Sequence, residues 1–187
     1  MMRGHSMMAL VVLILTGLSG GVFAQGGGAA KGSTEHIRAA TGKVDGAAIA
    51  ANARMTRDWP THGLDYAETR FSRLTQINAD NVKVLGLAWA YDLESTRGVE
   101  ATPLVVDGVM YVSASWSVVH AVDVRSGKRL WVYDPDVPRE TGYKGCCDVV
   151  NRGVALYKGK VFVATYDGRL VPRTSARPGC RSPRRRQ

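Results

Sequence analysis

"ATPLVVDGVMYVSASWSVVHAVDVRSGKRLWVYDP", residues 101–135, decides the fold. β-Branched and aromatic residues come in short runs, broken by glycine-bearing pairs. The spacing predicts strands at Leu104–Val106, Val109–Ser113, Ser117–Asp123 and Arg129–Tyr133. Asp107-Gly108 between two β-branched runs marks a tight hairpin turn, and Ser126-Gly127 marks the next. Four short antiparallel strands in this span make one sheet of a sandwich or one blade of a propeller.

The pattern then begins again. Gly108-Val-Met-Tyr-Val aligns with Gly159-Lys-Val-Phe-Val, 51 positions on, and at the same offset Val118-Val119 meets Arg169-Leu170. Repetition of such a unit favours a propeller over two unrelated hairpins. Within the first unit, Ala121, Asp123, Gly127 and Trp131 fall in the spacing A-x-D-x-x-x-G-x-x-x-W. Asp123 is placed to bond turn amides, Gly127 to take a positive φ, and Trp131 to cover the join to the next unit. The expected class is all-β, a partial β-propeller of one to two blades.

Toward the amino terminus, Arg3 precedes a short apolar run, Met7–Leu18, and Val22-Phe23-Ala24 offers a cleavage point. That run is shorter than the roughly 20 residues of a spanning helix. It predicts a signal peptide over residues 1–24 rather than an anchor, and export to a periplasm where disulfides persist. Residues 25–43 are expected to be a flexible leader. "KVDGAAIAANARM" predicts a short helix with Asp45 near its start. The stretch 58–74 is irregular around Pro60 and Gly63, and Leu85–Tyr91 alternates as a strand does.

The formal charge of +9 is uneven: residues 172–187 hold six arginines and no acid, leaving 19 basic against 16 acidic groups elsewhere. A nucleic-acid footprint would be a basic patch on a folded face. An arginine-rich end beside a near-neutral body argues against nucleic acid as the partner.

Three cysteines are present, and Cys180 lies in that arginine-rich end. Cys146 and Cys147 are adjacent. A bridge between neighbours closes almost no loop, so it adds little stability, and it distorts the intervening peptide. Its use would be a stiff, polarisable platform for a planar ligand; the alternative is two reduced cysteines. A zinc site lacks a second C-x-x-C pair, and no C-x-x-C-H is present for covalent haem.

"DWPTHGLDYAETRFSRLTQINADNVKVLGLAWAYDL", "RGVEATPLVVDGVMYVS" and "CCDVVNRGVALYKGKVFVATYDGRL" together resemble the amino-terminal portion of the pyrroloquinoline quinone (PQQ)-dependent alcohol dehydrogenases. The likeness runs from about Val44 to Val171, and the A-x-D-x-x-x-G-x-x-x-W spacing resembles that family's tryptophan-docking motif. The resemblance implies an eight-bladed propeller with PQQ in its central channel. It implies a Cys146–Cys147 disulfide stacked on the quinone, Glu100 at its polar rim and Arg152 meeting its oxygens. A guanidinium suits a planar tricarboxylate. The implied reaction is hydride transfer from an alcohol to PQQ, with electrons passed to a cytochrome c or a quinone.

The family's calcium ligands and catalytic aspartate have no counterpart here, and a haem c domain would lie later still. The resemblance therefore implies a fragment, inactive by itself, with no membrane span after signal cleavage. Pro172, Thr174 and Pro178 stand where a second Ala121, Asp123 and Gly127 are due, which predicts a shifted reading frame and a disordered tail over 172–187. The alternative is a non-catalytic periplasmic propeller-repeat scaffold or binding protein, which has no need of Glu100 and Arg152 beside adjacent cysteines.

Overall fold

The computed structural model describes residues 29–173. The expected signal peptide and most of the expected tail, Cys180 included, lie outside them. Two helices, α1 (Thr34–Gly42) and α2 (Gly46–Met55), precede seven strands. These are β1 (Leu104–Val106), β2 (Val109–Ser113), β3 (Val119–Asp123), β4 (Arg129–Tyr133), β5 (Ala155–Tyr157), β6 (Lys160–Ala164) and β7 (Leu170–Arg173). Strands β1–β4 form one antiparallel meander, and β5–β7 form a second sheet.

Turn chemistry sets the hairpins. Asp107 and Gly108 take φ of 50° and 71°, and Lys158 and Gly159 take 42° and 83°. Two successive positive φ values match the right-handed twist of the flanking strands. The repeat seen in the sequence is thus a repeat of turn geometry. Across the first sheet, Leu104 pairs with Tyr111, Tyr111 with Ala121, and Ala121 with Trp131. That row is buried and joins Leu156, Val161 and Val163 of the second sheet in one core. No helix among the described residues is long and apolar enough to cross a membrane.

Residues 34–42, expected within a flexible leader, form α1 instead. Ser33 caps it by accepting from the His36 N–H at 3.1 Å, and Ile37, Ala40 and Thr41 are buried. With Val44 these residues make an i, i+3, i+4, i+7 stripe, enough to anchor a short helix when a sheet receives it. Lys31 reaches Asp123 at 2.8 Å and His36 reaches Asp107 at 3.5 Å, so the segment also ties down two turns of the first sheet. As expected, Asp45 caps α2, accepting from the Ala48 N–H.

Leu85–Tyr91 is not a strand. Among the described residues no neighbour pairs with it, and Leu85 and Leu87 are 58% and 87% exposed. Period-two alternation makes a strand only when a partner satisfies its backbone. The segment is instead held by side chains. Trp89 lies on Gly127 (φ 67°), where an added Cβ would come within 2.7 Å of the ring, and its Nε1 donates to Val124 O at 3.0 Å. The Asp123 carboxylate orders that turn by accepting from the Arg125 and Ser126 N–H groups. The ring docked on this turn therefore belongs to Trp89, in "WAYD", an echo of the "WVYD" that carries Trp131.

Two smaller corrections concern strand ends. Ser117 and Val118, expected in β3, belong to a tight turn in which Trp116 and Ser117 have φ of 60° and 62°. Pro172 and Arg173, expected in the tail, complete β7 opposite Phe162 and Val161.

His120, in β3, is buried among these elements. Its Nδ1 bonds the Tyr91 hydroxyl at 3.0 Å, while Nε2 has no partner among the described residues. Burial lowers its pKa to about 4. The unfolded chain then binds more protons than the folded one between about pH 6.5 and 4, so stability falls as pH drops through that window. His120→Gln, which keeps a partner for Tyr91 and does not titrate there, is expected to remove about 2–3 kcal/mol of this acid sensitivity. Urea melts at pH 7 and pH 4 check it.

Candidate functional site

The site is built where two distant segments are pulled together. Asp148, with φ of 68°, turns its carboxylate to the Arg97 guanidinium and accepts from the Gly98 N–H at 3.1 Å. These contacts, Arg97 first, hold its carboxyl down at about 2. The "RGVE" stretch is thereby fastened to the residue that follows the cysteines. Three residues beyond Arg97, Glu100 Oε2 lies 3.2 Å from Arg152 Nη2.

Cys146 and Cys147 are both exposed. The Cys147 thiol is pushed up first by its hydrogen bond with Cys146 and the charge there, then by partial burial and by the Glu100 carboxylate; the Arg152 guanidinium opposes them. Cys147 is thus within electrostatic reach of Cys146, Glu100 and Arg152, the other three residues singled out in the sequence. In this structure the two sulfurs are free thiols.

The floor beneath these groups is made of residues the sequence reading missed. Trp116 donates its backbone N–H to Val149 O at 2.9 Å, fixing the far end of the cysteine loop. Arg139 lies over the Trp116 ring at 4.2 Å, and Tyr166 meets the ring edge-on at 6.2 Å. Tyr166 also donates its hydroxyl to Gly142 O at 3.1 Å. Asn151 is buried beside Arg152 and bridges the two sheets. The only local signal for it was an amide next to a charged residue, because its partners come from three separate parts of the chain.

An open cleft of ≈ 470 Å³ runs along Arg152, walled by Thr102 and Leu104 on one side, Val154 and Ala164 on the other, and Tyr166. Glu100 and the cysteines do not line it. Among the described residues no cluster of three His, Cys, Asp or Glu side chains could hold a metal ion. The donor set is one exposed guanidinium paired with a carboxylate and two exposed sulfurs; a guanidinium suits a carboxylate ligand.

A family model described as the glucose/ethanol/alcohol dehydrogenase β-propeller domain that uses PQQ matches residues 59–179. The chain is 68% identical over 153 residues to a quinohemoprotein alcohol dehydrogenase of Comamonas testosteroni, covering 82% of this chain and 21% of that protein. It is 73% identical over 114 residues to a 1-butanol dehydrogenase (cytochrome c) of Thauera butanivorans, covering 61% and 16%. The crystal structure of the quinohemoprotein alcohol dehydrogenase from Comamonas testosteroni superposes with a TM-score of 0.72 at 70% identity, over 74% of this chain and 21% of that one. The chain spans about a fifth of the length of the curated relatives it matches.

Proposed function

Because the chain belongs to the PQQ glucose/ethanol/alcohol dehydrogenase β-propeller family, we propose that it forms one wall of the quinone site of an exported alcohol dehydrogenase. The observation that carries this reading is the 3.2 Å Glu100–Arg152 pair beside the two cysteines. When bound, PQQ supplies the two-electron acceptor for a hydride taken from an alcohol. Arg152 would hold the quinone's oxygens, and Glu100 would keep Arg152 aimed at them.

In an oxidising compartment Cys146 and Cys147 would close, giving up two hydrogens to a thiol–disulfide oxidant, and present a flat sulfur face to the ring. The similarity to a butanol dehydrogenase supports a small aliphatic alcohol as substrate and a cytochrome c as electron acceptor. Calcium, its ligands and the aspartate base would come from parts of the complete enzyme outside this segment, as would any haem c. Export to the periplasm rests on the signal-like residues 1–24.

The wall alone is not the enzyme. With PQQ, calcium, ethanol or butanol and an artificial electron acceptor, this chain by itself is expected to show no turnover. The complete protein carrying this segment is expected to turn over, and only with PQQ. Turnover by the isolated chain, or PQQ-independent turnover by the complete protein, would contradict the proposal.

A further inference from the structure

Arg152 is 76% exposed and has one ion-pair partner, itself 44% exposed. A long side chain so placed keeps much of its rotamer freedom, so Glu100 does not fix it alone, and the region its guanidinium can reach is bounded by the backbone that carries it. That backbone is held by the preceding residue. Asn151 is 9% exposed. Its Oδ1 accepts from Ser113 Oγ at 2.6 Å and from the Gly153 N–H at 3.1 Å. Its Nδ2 donates to Ser117 Oγ at 3.1 Å and to Ala164 O at 2.8 Å.

These four bonds use the full capacity of a carboxamide, two donated and two accepted. They also fix its orientation, since Ala164 O needs a donor and the Gly153 N–H needs an acceptor. Ser113 ends β2, Ser117 precedes β3 and Ala164 ends β6, so one side chain joins both sheets. Gly153 lies beyond Arg152, at φ of 135°, with an ideal Cβ position 3.4 Å from Thr102 O. The Thr102 N–H reaches Arg152 O at 3.4 Å. The peptide on each side of Arg152 is therefore tied to the same buried amide.

We propose that Asn151 is a positioning residue for Arg152: its carboxamide locks the two sheets around the peptide that carries the guanidinium, and so sets where that charge stands relative to Glu100 and the cysteines. The placement deepens the quinone-site reading but rests on it only for what Arg152 finally contacts. It can be read without the quinone, because the Arg152 guanidinium is expected to lower the Cys147 thiol against the groups that push it up.

The test uses the full chain, fused to a soluble carrier and reduced, with Cys146→Ser so that Cys147 reports alone. Alkylation of Cys147 is followed against pH by peptide mapping, with Cys180 as the internal reference. Arg152→Gln is expected to slow Cys147 about threefold near neutral pH, since losing a nearby cation raises a thiol. Asn151→Ala is expected to slow it to a similar extent, and the double variant no further. Asn52→Ala removes another buried amide, one that donates to Asp58 O and Leu64 O. It should lower stability and leave the Cys147 profile unchanged.

Should Asn151→Ala fail to fold, Ser113→Ala removes one arm of the clamp from the other sheet and is expected to shift the profile in the same direction. A wild-type profile in folded Asn151→Ala or Ser113→Ala would overturn the proposal. So would additive effects of Asn151→Ala and Arg152→Gln, or no effect of Arg152→Gln. If the clamp behaves as expected and the complete protein works without PQQ, the quinone reading fails while the clamp stands.

Discussion

Arg152→Gln in the complete protein is expected to weaken PQQ binding about a hundredfold or more. Two costs add. The charge-assisted hydrogen bonds from the guanidinium are lost, at about 1.5–3 kcal/mol. Glu100, now without the cation 3.2 Å away, faces the ligand's own carboxylates unneutralised. Together these amount to about 3 kcal/mol or more, which is two decades in affinity. Arg152→Lys should recover part of the loss, because it restores a charge but not the planar fork. Equilibrium titration of PQQ into the apo-protein checks both variants. Wild-type affinity in Arg152→Gln would remove Arg152 from the site.

The second large effect concerns Trp131. Its ring is 7% exposed and leans on Tyr111 at 6.1 Å, in the core shared by the two sheets. Trp131→Ala is expected to cost about 3–5 kcal/mol, the range for deleting a buried aromatic. That is a large part of an ordinary domain's stability. Trp89 shows what a docked tryptophan looks like in this fold, its N–H bonded to Val124 O. Among the described residues the buried Trp131 N–H has no partner. Gly127→Ala should also destabilise, because it sets a Cβ against the Trp89 ring at a position with φ of 67°. Urea denaturation of the three proteins, followed by far-UV circular dichroism, checks these predictions; Trp131→Ala with a wild-type midpoint would contradict them.

The hairpins were legible because their information is local. Asp107-Gly108 encodes positive φ at both turn positions, and the predicted limits of β1, β2 and β4 match the structure. Helix α1 was missed because its stripe, Ile37, Ala40, Thr41 and Val44, is short and mostly small residues; only packing against β5 and β6 gives it weight. The alternation of Leu85–Tyr91 was real but could not reveal whether a partner strand stands beside it. Trp89 was within reach, since "WAYD" and "WVYD" are near copies.

At the site, the sequence resemblance picked out Glu100, Cys146, Cys147 and Arg152, and the structure brings them together. What holds them was not legible. Asp148 works through Arg97, and Asn151 through Ser113, Ser117 and Ala164. Such contacts exist only once the sheets have met.

Under oxidising conditions the adjacent sulfurs of Cys146 and Cys147 are expected to close into a rigid face. Non-reducing intact mass with thiol labelling of the protein produced in an oxidising compartment checks this, given three cysteines in the chain. Alkylation is expected to mark Cys180 alone before reduction and all three cysteines after it, with the Cys146–Cys147 peptide two hydrogens lighter until reduced. Cys146 and Cys147 both labelled without reduction would contradict it.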